Sequence, residues 1–289
     1  MAITQTHADP DNRFGAPTLD ANATKLLSML DTAFRRLSQR QGAMPMTMPA
    51  LLPVADMARL DLFVNFPHLV LLPSALKEEE TSRYSSAAQL RSVPGEDLQA
   101  SDLVLPTAAC FGVYLHLQKR VLEKAVKITV LGRCFRRESY YHGLRRMMGF
   151  HMREAVCVGS SDQTREHVDE MGAHIEKFAA GLRLPLRREK ASDPFFDPTG
   201  SRALMQKLAP VKHEFLHGDL AIASVNLHRN FFGERCEITI AGQEGSAFSS
   251  CAAFGLERWI AVLVEHFHGD WPTIFAAVSE VGGLKKDGE

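Results

Sequence analysis

The 289-residue chain is 45% hydrophobic and 23% charged, enough length and apolar content to bury the core of one large domain or two small ones. Its 33 Lys and Arg stand against 34 Asp and Glu, a formal net charge of -1, so no overall basic field draws it onto nucleic acid. No secretory leader pattern opens the sequence and no apolar run approaches membrane-spanning length, which points to a cytoplasmic protein whose five widely spread cysteines are thiols rather than disulfides.

Residues 1–20 are polar and read as a flexible N-terminus. Beyond them Leu26, Leu30, Phe34 and Leu37 fall on one stripe that stops at Gly42, which predicts an amphipathic helix. The prolines of "MPMTMPALLP" forbid helix there. "NFPHLVLLP" (65–73) reads as a short buried strand, and the polar, Ser-rich stretch 77–99 as loop or lid. A second helix is expected over "GVYLHLQKRVLEKA" (112–125), then strands over "KITVLGRCFRRES" (127–139) and "FHMREAVCVGS" (150–160). Ser160 and Gln163 have capping-box spacing before a helix striped by Val168, Met171, Ile175, Phe178 and Leu182. "LPLRREKASDPFFDPTGS" (184–201) reads as a Pro- and charge-rich insertion, and "RALMQKLAP" (202–210) as a short helix. Two more strands are expected at "DLAIASVNLH" (219–228) and "RCEITIAG" (235–242), and a last helix at "GLERWIAVLVEHFHG" (255–269). Short helices between hairpin-like strands describe an α+β domain with a largely antiparallel sheet, here taken over residues 21–289.

Strand alternation would put Arg136 and Glu138 on one face of their strand, and Phe150, Met152 and Glu154 on one face of the next. A guanidinium fork suits a phosphate, a ring suits stacking on a base, and a carboxylate can read an exocyclic amine. Taken alone, this stretch reads rather as a solvated hairpin with scattered charges. A second element shifts the balance: "SSCAAFGLERWI" passes from strand to helix through Gly255, with Arg258 in the first turn.

In this order the residues resemble the catalytic domain of class II aminoacyl-tRNA synthetases. "FRRE" (135–138) through "RMMGF" (146–150) is similar to motif 2, "GLERW" (255–259) to motif 3, and "TMPALL" with Pro49 to motif 1, the dimerisation element. The resemblance runs from about Leu26 to Phe267 and implies a six- or seven-stranded antiparallel sheet flanked by helices, working as a homodimer. It also implies ATP as substrate, with Mg²⁺. Arg136 would hold the α-phosphate, Glu138 would face the adenine amino group, and Phe150 would stack on adenine. Arg146 would approach the distal phosphates, and Arg258 would hold the γ-phosphate. Attack of an amino-acid carboxylate on the α-phosphate builds negative charge, which positioned arginines and Mg²⁺ offset without a general base.

Cys110 in "PTAACFG", Glu154 in "FHMREAV" and Cys251 in "SSCAAFG" narrow the resemblance. The set is similar to that of the zinc-dependent seryl-tRNA synthetases of methanogens and of their shortened relatives, the amino acid:[carrier protein] ligases. It implies Zn²⁺ held by two thiolates and a carboxylate, with an open position for the substrate amine. Spacing alone is a poor signal over about 140 residues. Buried thiols are ordinarily structural, which is the reading for Cys134, Cys157 and Cys236. Motif 1 begins after only about two dozen residues and little follows Phe267, so no room is expected for a tRNA-binding module. The ligases are thus the closer resemblance. They imply adenylation of glycine, possibly alanine, transfer to the phosphopantetheine thiol of a holo-carrier protein, and neither tRNA nor membrane as a partner. Met152 and Ala252 are expected to crowd the side-chain end of the amino acid. The alternatives are a seryl-like synthetase and a non-catalytic paralogue that only binds an amino acid.

The magnesium-binding acid is open: where related synthetases carry a glutamate this chain has Ala221, and Asp219 stands nearby. Ser224 and Asn226 are candidate substrate-pocket residues, and His228 reads as a hydrogen-bonded structural histidine. Residues 184–207, with Arg187, Arg188 and Lys190 beside Phe195 and Phe196, are either a carrier-docking insertion or a solvated one.

Overall fold

A computed structural model of the chain describes residues 15–86, 89–200 and 211–284. Helix α1 (Ala21–Arg40) starts where the Asp20 carboxylate accepts the N–H of Ala23 at 2.8 Å, and its apolar stripe of Leu26, Leu30, Phe34 and Leu37 is buried. The chain then enters a seven-stranded sheet, described from one edge to the other. It runs β1 (Met44–Met46), β5 (Val126–Phe135), β6 (Gly149–Gly159), β11 (Phe248–Gly255), β9 (Leu220–Arg229), β8 (Lys212–His217) and β7 (Arg187–Ala191). Only β1 and β5 pair in parallel; the other five pairings are antiparallel. Two small ribbons, β2 (Leu52–Pro53) with β3 (Leu103–Val104) and β4 (Val121–Leu122) with β10 (Thr239–Ile240), lie outside it.

Four helices form one core with the sheet: α1, α6 (Ser161–Gly181), α8 (Leu256–His266) and α9 (Trp271–Gly282). Phe34 stacks on Phe254 at 4.2 Å and tilts against Trp259 at 5.2 Å, and Met171, Ile175, Ile274 and Val278 complete the packing. A second buried cluster, built from Leu52, Met57, Val104, Val113 and Tyr114, includes Val130, Val156 and Cys251 of the sheet. Alternation divides the strands between the two. Ala155, Ala223, Val225, Ala252 and Phe254 join the helical core, whereas Val156, Cys251 and the adjoining Met152 belong to the second cluster. Ala252 is therefore turned away from Met152 and cannot crowd a substrate beside it; Ala253 stands on that side instead.

Several elements differ from the sequence reading. Residues 65–73 form no strand: α3 (Leu62–Asn65) is followed by a 3-10 turn that Pro67 opens, a place where its missing N–H costs nothing. The helix expected over 112–125 is only α5 (Phe111–His116), because Lys119 turns at φ 59°, donates its N–H to Cys236 O, and leads Val121 and Leu122 into pairing with β10. Within the Pro-rich insertion lies β7, whose charged side chains suit an edge strand. Strand β8 was not expected at all. Only Thr239–Ile240 of 235–242 is strand, after the short helix α7 (Phe231–Arg235). Helix α9 is new, capped by Asp270. Of the N-terminus expected to be flexible, residues 1–14 lie outside the described residues, while Gly15 is buried and its carbonyl accepts the N–H of Met148 at 2.7 Å. The helix expected at 202–210 lies outside the described residues. Among the described residues no helix is long and apolar enough to cross a membrane.

Candidate active site

Two rows of directly opposed residues cross the sheet. One runs Val156–Cys251–Asn226–Lys212 and the next Glu154–Ala253–Ser224–Glu214, over β6, β11, β9 and β8. Opposed residues share a face, so these chemical groups form one floor. Cys110 approaches that floor from the turn before α5.

The sulfurs of Cys110 and Cys251 and a carboxylate oxygen of Glu154 all lie within 4.8 Å of one another, and all three residues are buried. Glu154 Oε1 accepts the N–H groups of Ala109 at 2.7 Å and Cys110 at 3.2 Å, which fixes the carboxylate. Burial raises the Glu154 pKa, and the hydrogen bond to Cys251 together with burial pushes the Cys110 thiol well above its ordinary value. Burial thus disfavours the charged forms of these groups; a dication would favour them, and two thiolates with one carboxylate suit Zn²⁺. His228 is not one of the three converging groups. Its Nε2 lies 3.6 Å from Cys251 Sγ while its Nδ1 meets Tyr114 Oη at 3.1 Å, and burial lowers its pKa to about 4, so the ring is neutral and orients the thiol.

A cavity of about 420 Å³ opens from this cluster, walled by Met152, Ser224, Asn226, Phe66 and Phe195. A second, of about 110 Å³, is lined by Arg136, Glu138, Arg146, Phe150, Glu214 and Arg258. Arg136, Met152, Lys212, Ser224 and Ala253 line both, so the two cavities adjoin. Arg136 lies just past the end of β5 rather than on it, as does Glu138; its guanidinium sits 5.2 Å over the Phe150 ring and its Nε donates to Thr107 O at 3.0 Å. Arg146 pairs with Glu138 at 3.1 Å. Arg258 donates to the carbonyls of Arg145 at 3.0 Å and Ala221 at 2.9 Å, so it ties a loop to β9 as well as facing the cavity. Burial, then repulsion by Arg136, brings its pKa down to about 10. Three guanidiniums converging on so small a space make a seat for an oligophosphate.

The structure thus gathers Arg136, Glu138, Arg146, Phe150 and Arg258 around one cavity, and Cys110, Glu154, Cys251, Ser224 and Asn226 around the other. Asp219 joins neither: it sits on the β8–β9 turn with its side chain 88% exposed, paired with Arg145. Sequence reasoning missed Lys212, Glu214, Asp193 and Phe66. The signal for the first two was present in "KHEFLH", where Lys212 and Glu214 alternate with His213 and the buried Phe215. Glu257 also lines the smaller cavity, but its carboxylate accepts the His151 N–H at 2.9 Å.

A mostly antiparallel sheet with helices packed on one face and arginines converging on a cavity of the other is the build of a class II aminoacyl-tRNA synthetase core. Residues 95–267 match the family model for the tRNA synthetase class II core domain (G, H, P, S and T). Among curated proteins, amino acid–[acyl-carrier-protein] ligase 1 of Bradyrhizobium diazoefficiens is 32% identical over 292 residues, covering 95% of this chain and 86% of the relative. Ligase 2 of the same organism is 34% identical over 255 residues, covering 83% and 74%. The chain belongs to the class II synthetase core family and, within it, to the amino acid–[acyl-carrier-protein] ligases. Among solved structures, M. kandleri SerRS in complex with A. aeolicus tRNASec superposes with a TM-score of 0.76 at 20% identity, over 96% of this chain. The chain spans 59% of that synthetase's length. Cytoplasmic serine-tRNA ligase of Naegleria fowleri, solved with AMP, gives a TM-score of 0.66 at 16% identity, over 94% of this chain and 61% of its own.

Proposed function

We propose that this chain activates a small amino acid, glycine with alanine behind it, as the aminoacyl-adenylate and passes it to the phosphopantetheine thiol of a carrier protein. The observation that carries this reading is the junction of the two cavities at Arg136. An amino acid with its amine at the Cys110–Glu154–Cys251 end would turn its carboxylate toward that junction, beside an ATP α-phosphate held by Arg136. Arg258 and Arg146 would hold the distal phosphates, and Phe150 and Glu138 the adenine, as Mg²⁺–ATP is the common substrate of the class II core. Zn²⁺ held by Cys110, Glu154 and Cys251 would supply a Lewis-acid anchor for the amine.

The carboxylate oxygen attacks phosphorus, and pyrophosphate leaves. The guanidiniums meet the charge that develops. The carrier thiol then attacks the acyl carbon and expels AMP, a step an activated carbonyl needs little help to undergo. The larger cavity, at about 420 Å³, holds far more than glycine fills, which supports entry of a second, slender substrate. Met152 and Ala253 flank the amino-acid end, so selection rests on size. One missing methyl discriminates by only about 1–3 kcal/mol, and leakage between glycine and alanine is expected. Homodimer formation through the motif 1 segment is part of the same proposal. So is carrier docking near residues 184–207, where Phe196 is 64% exposed.

The test is amino-acid-dependent ATP–pyrophosphate exchange without tRNA, followed by loading of radiolabelled glycine onto holo-carrier, apo-carrier and bulk tRNA. Label on the holo-carrier alone is expected. Efficient charging of tRNA with no transfer to a holo-carrier would overturn the assignment.

A further inference from the structure

After β7 the chain turns back over the larger cavity, where Asp193, Pro194 and Phe195 form part of its wall. Several contacts hold this short segment, among them the tilt of the Phe196 ring against His68 at 5.7 Å. The Phe195 ring stacks on Phe66 at 5.2 Å, the Phe196 N–H donates to Asn65 O at 2.9 Å, and Asp193 Oδ1 accepts from Lys212 Nζ at 3.1 Å. Lys212 rises from the floor row beside Asn226 with its side chain only 14% exposed. Its Nζ also lies 3.0 Å from Glu214 Oε1. Asp193 lines the larger cavity and Glu214 the smaller, so one buried ammonium joins a carboxylate of each. Burial disfavours that charge, but the two carboxylates outweigh it and keep the ammonium protonated.

A buried pair of this kind adds little net stability, and its value lies in fixing geometry. What it fixes here is a segment that lines the cavity where a mixed anhydride would form. Water is the competitor of the carrier thiol at that anhydride. Its oxygen attacks the same acyl carbon, the bond from that carbon to the phosphate oxygen breaks, and the electron pair leaves with AMP. The water proton passes to solvent and the products are free amino acid and AMP, with one ATP consumed for nothing.

Resting on the function proposed above, we propose that Lys212 is a positioning residue: through Asp193 it holds residues 193–196 as a roof that keeps water from the adenylate until the thiol arrives. Excluding water from a reactive intermediate is one of the recognised tasks of a closed site.

The test uses the full chain, zinc-loaded, in wild-type, Lys212→Met and Lys212→Arg forms. Amino-acid-dependent pyrophosphate exchange and AMP release without carrier are measured on each. The ratio of AMP release to exchange is expected to rise roughly tenfold in Lys212→Met and to return toward wild type in Lys212→Arg. Limited proteolysis should cut Lys212→Met faster between residues 192 and 200. Should Lys212→Met fail to fold, Asp193→Asn must raise the same ratio. An unchanged ratio in whichever variant folds, with exchange intact in the wild type, overturns the roof. Absence of exchange in the wild type would overturn the functional reading and this inference with it.

Discussion

At the scale of single residues, strand alternation separates Cys251 of β11 from Cys157 of β6, two cysteines that look alike in sequence. Cys251 faces Glu154 and Cys110, while Cys157 lies on the helical side with its Sγ 4.0 Å from Gln163 O. Elemental analysis should find about one zinc per subunit, lost in Cys110→Ser and kept in Cys157→Ser; an active preparation without zinc would sink the cluster as a metal site. His167 supports a separate prediction. It is 2% exposed on α6, its Nδ1 is 2.9 Å from Ser250 Oγ, and burial brings its pKa down to about 3. An unfolded histidine titrates near 6.5, so below that pH the unfolded chain takes up a proton that the folded one refuses. The contribution is therefore fully present above about pH 6.5 and is lost as pH falls toward 3, at up to about 1.4 kcal/mol per pH unit. Urea midpoints of wild type between pH 6.5 and 4.5 should fall more steeply than those of His167→Gln, and parallel curves would contradict this.

At the scale of elements, the passage from β11 into α8 puts Arg258 where it both faces the smaller cavity and bonds two carbonyls. Arg258→Ala should lower pyrophosphate exchange about a hundredfold or more while the far-UV spectrum is kept, and a wild-type rate would show that motif 3 is misassigned. Helix α7 depends on Gly233, where an added Cβ would lie 2.0 Å from Ala247 O. Gly233→Ala is expected to cost at least about 1–3 kcal/mol in chemical denaturation. It should also disturb Phe232, which stacks on Tyr114 at 3.9 Å behind His228. Neutral behaviour would mean that this contact relaxes freely. The β11–α8 turn was legible in the sequence because an apolar alternating run, a glycine and a helical stripe follow one another without a break. Strand β8 was not, because its cavity-facing residues are charged and its period of two is carried by only Phe215 on the core side. The overlong helix at 112–125 failed because a tertiary pairing of Val121 and Leu122 outweighed a helical periodicity. The arginines and the Cys–Glu–Cys set were legible by resemblance; Lys212 and Asp193, joined only by the fold, were not.

At the scale of the whole molecule, the four long helices α1, α6, α8 and α9 pack on one face of the sheet and the chemical groups lie on the other. The edge strand β1 leaves Met44 54% exposed, in the segment proposed to form the dimer. Met44→Lys should shift sedimentation toward the monomer, and an unchanged dimer would place the interface elsewhere. The two-faced sheet also has a hereditary consequence. One codon inserted within β9 would exchange Ser224 and Asn226 for Ala223 and Val225, turning polar groups into the helical core and methyls into the site, so fold and chemistry would be lost in a single event. An insertion beside Gly218, at φ 58° on the β8–β9 turn with open space around it, would cost neither. Descendants of this gene should therefore vary in length at that hairpin tip, while along β6, β9 and β11 only substitutions survive, in alternating stripes of strict and lax inheritance.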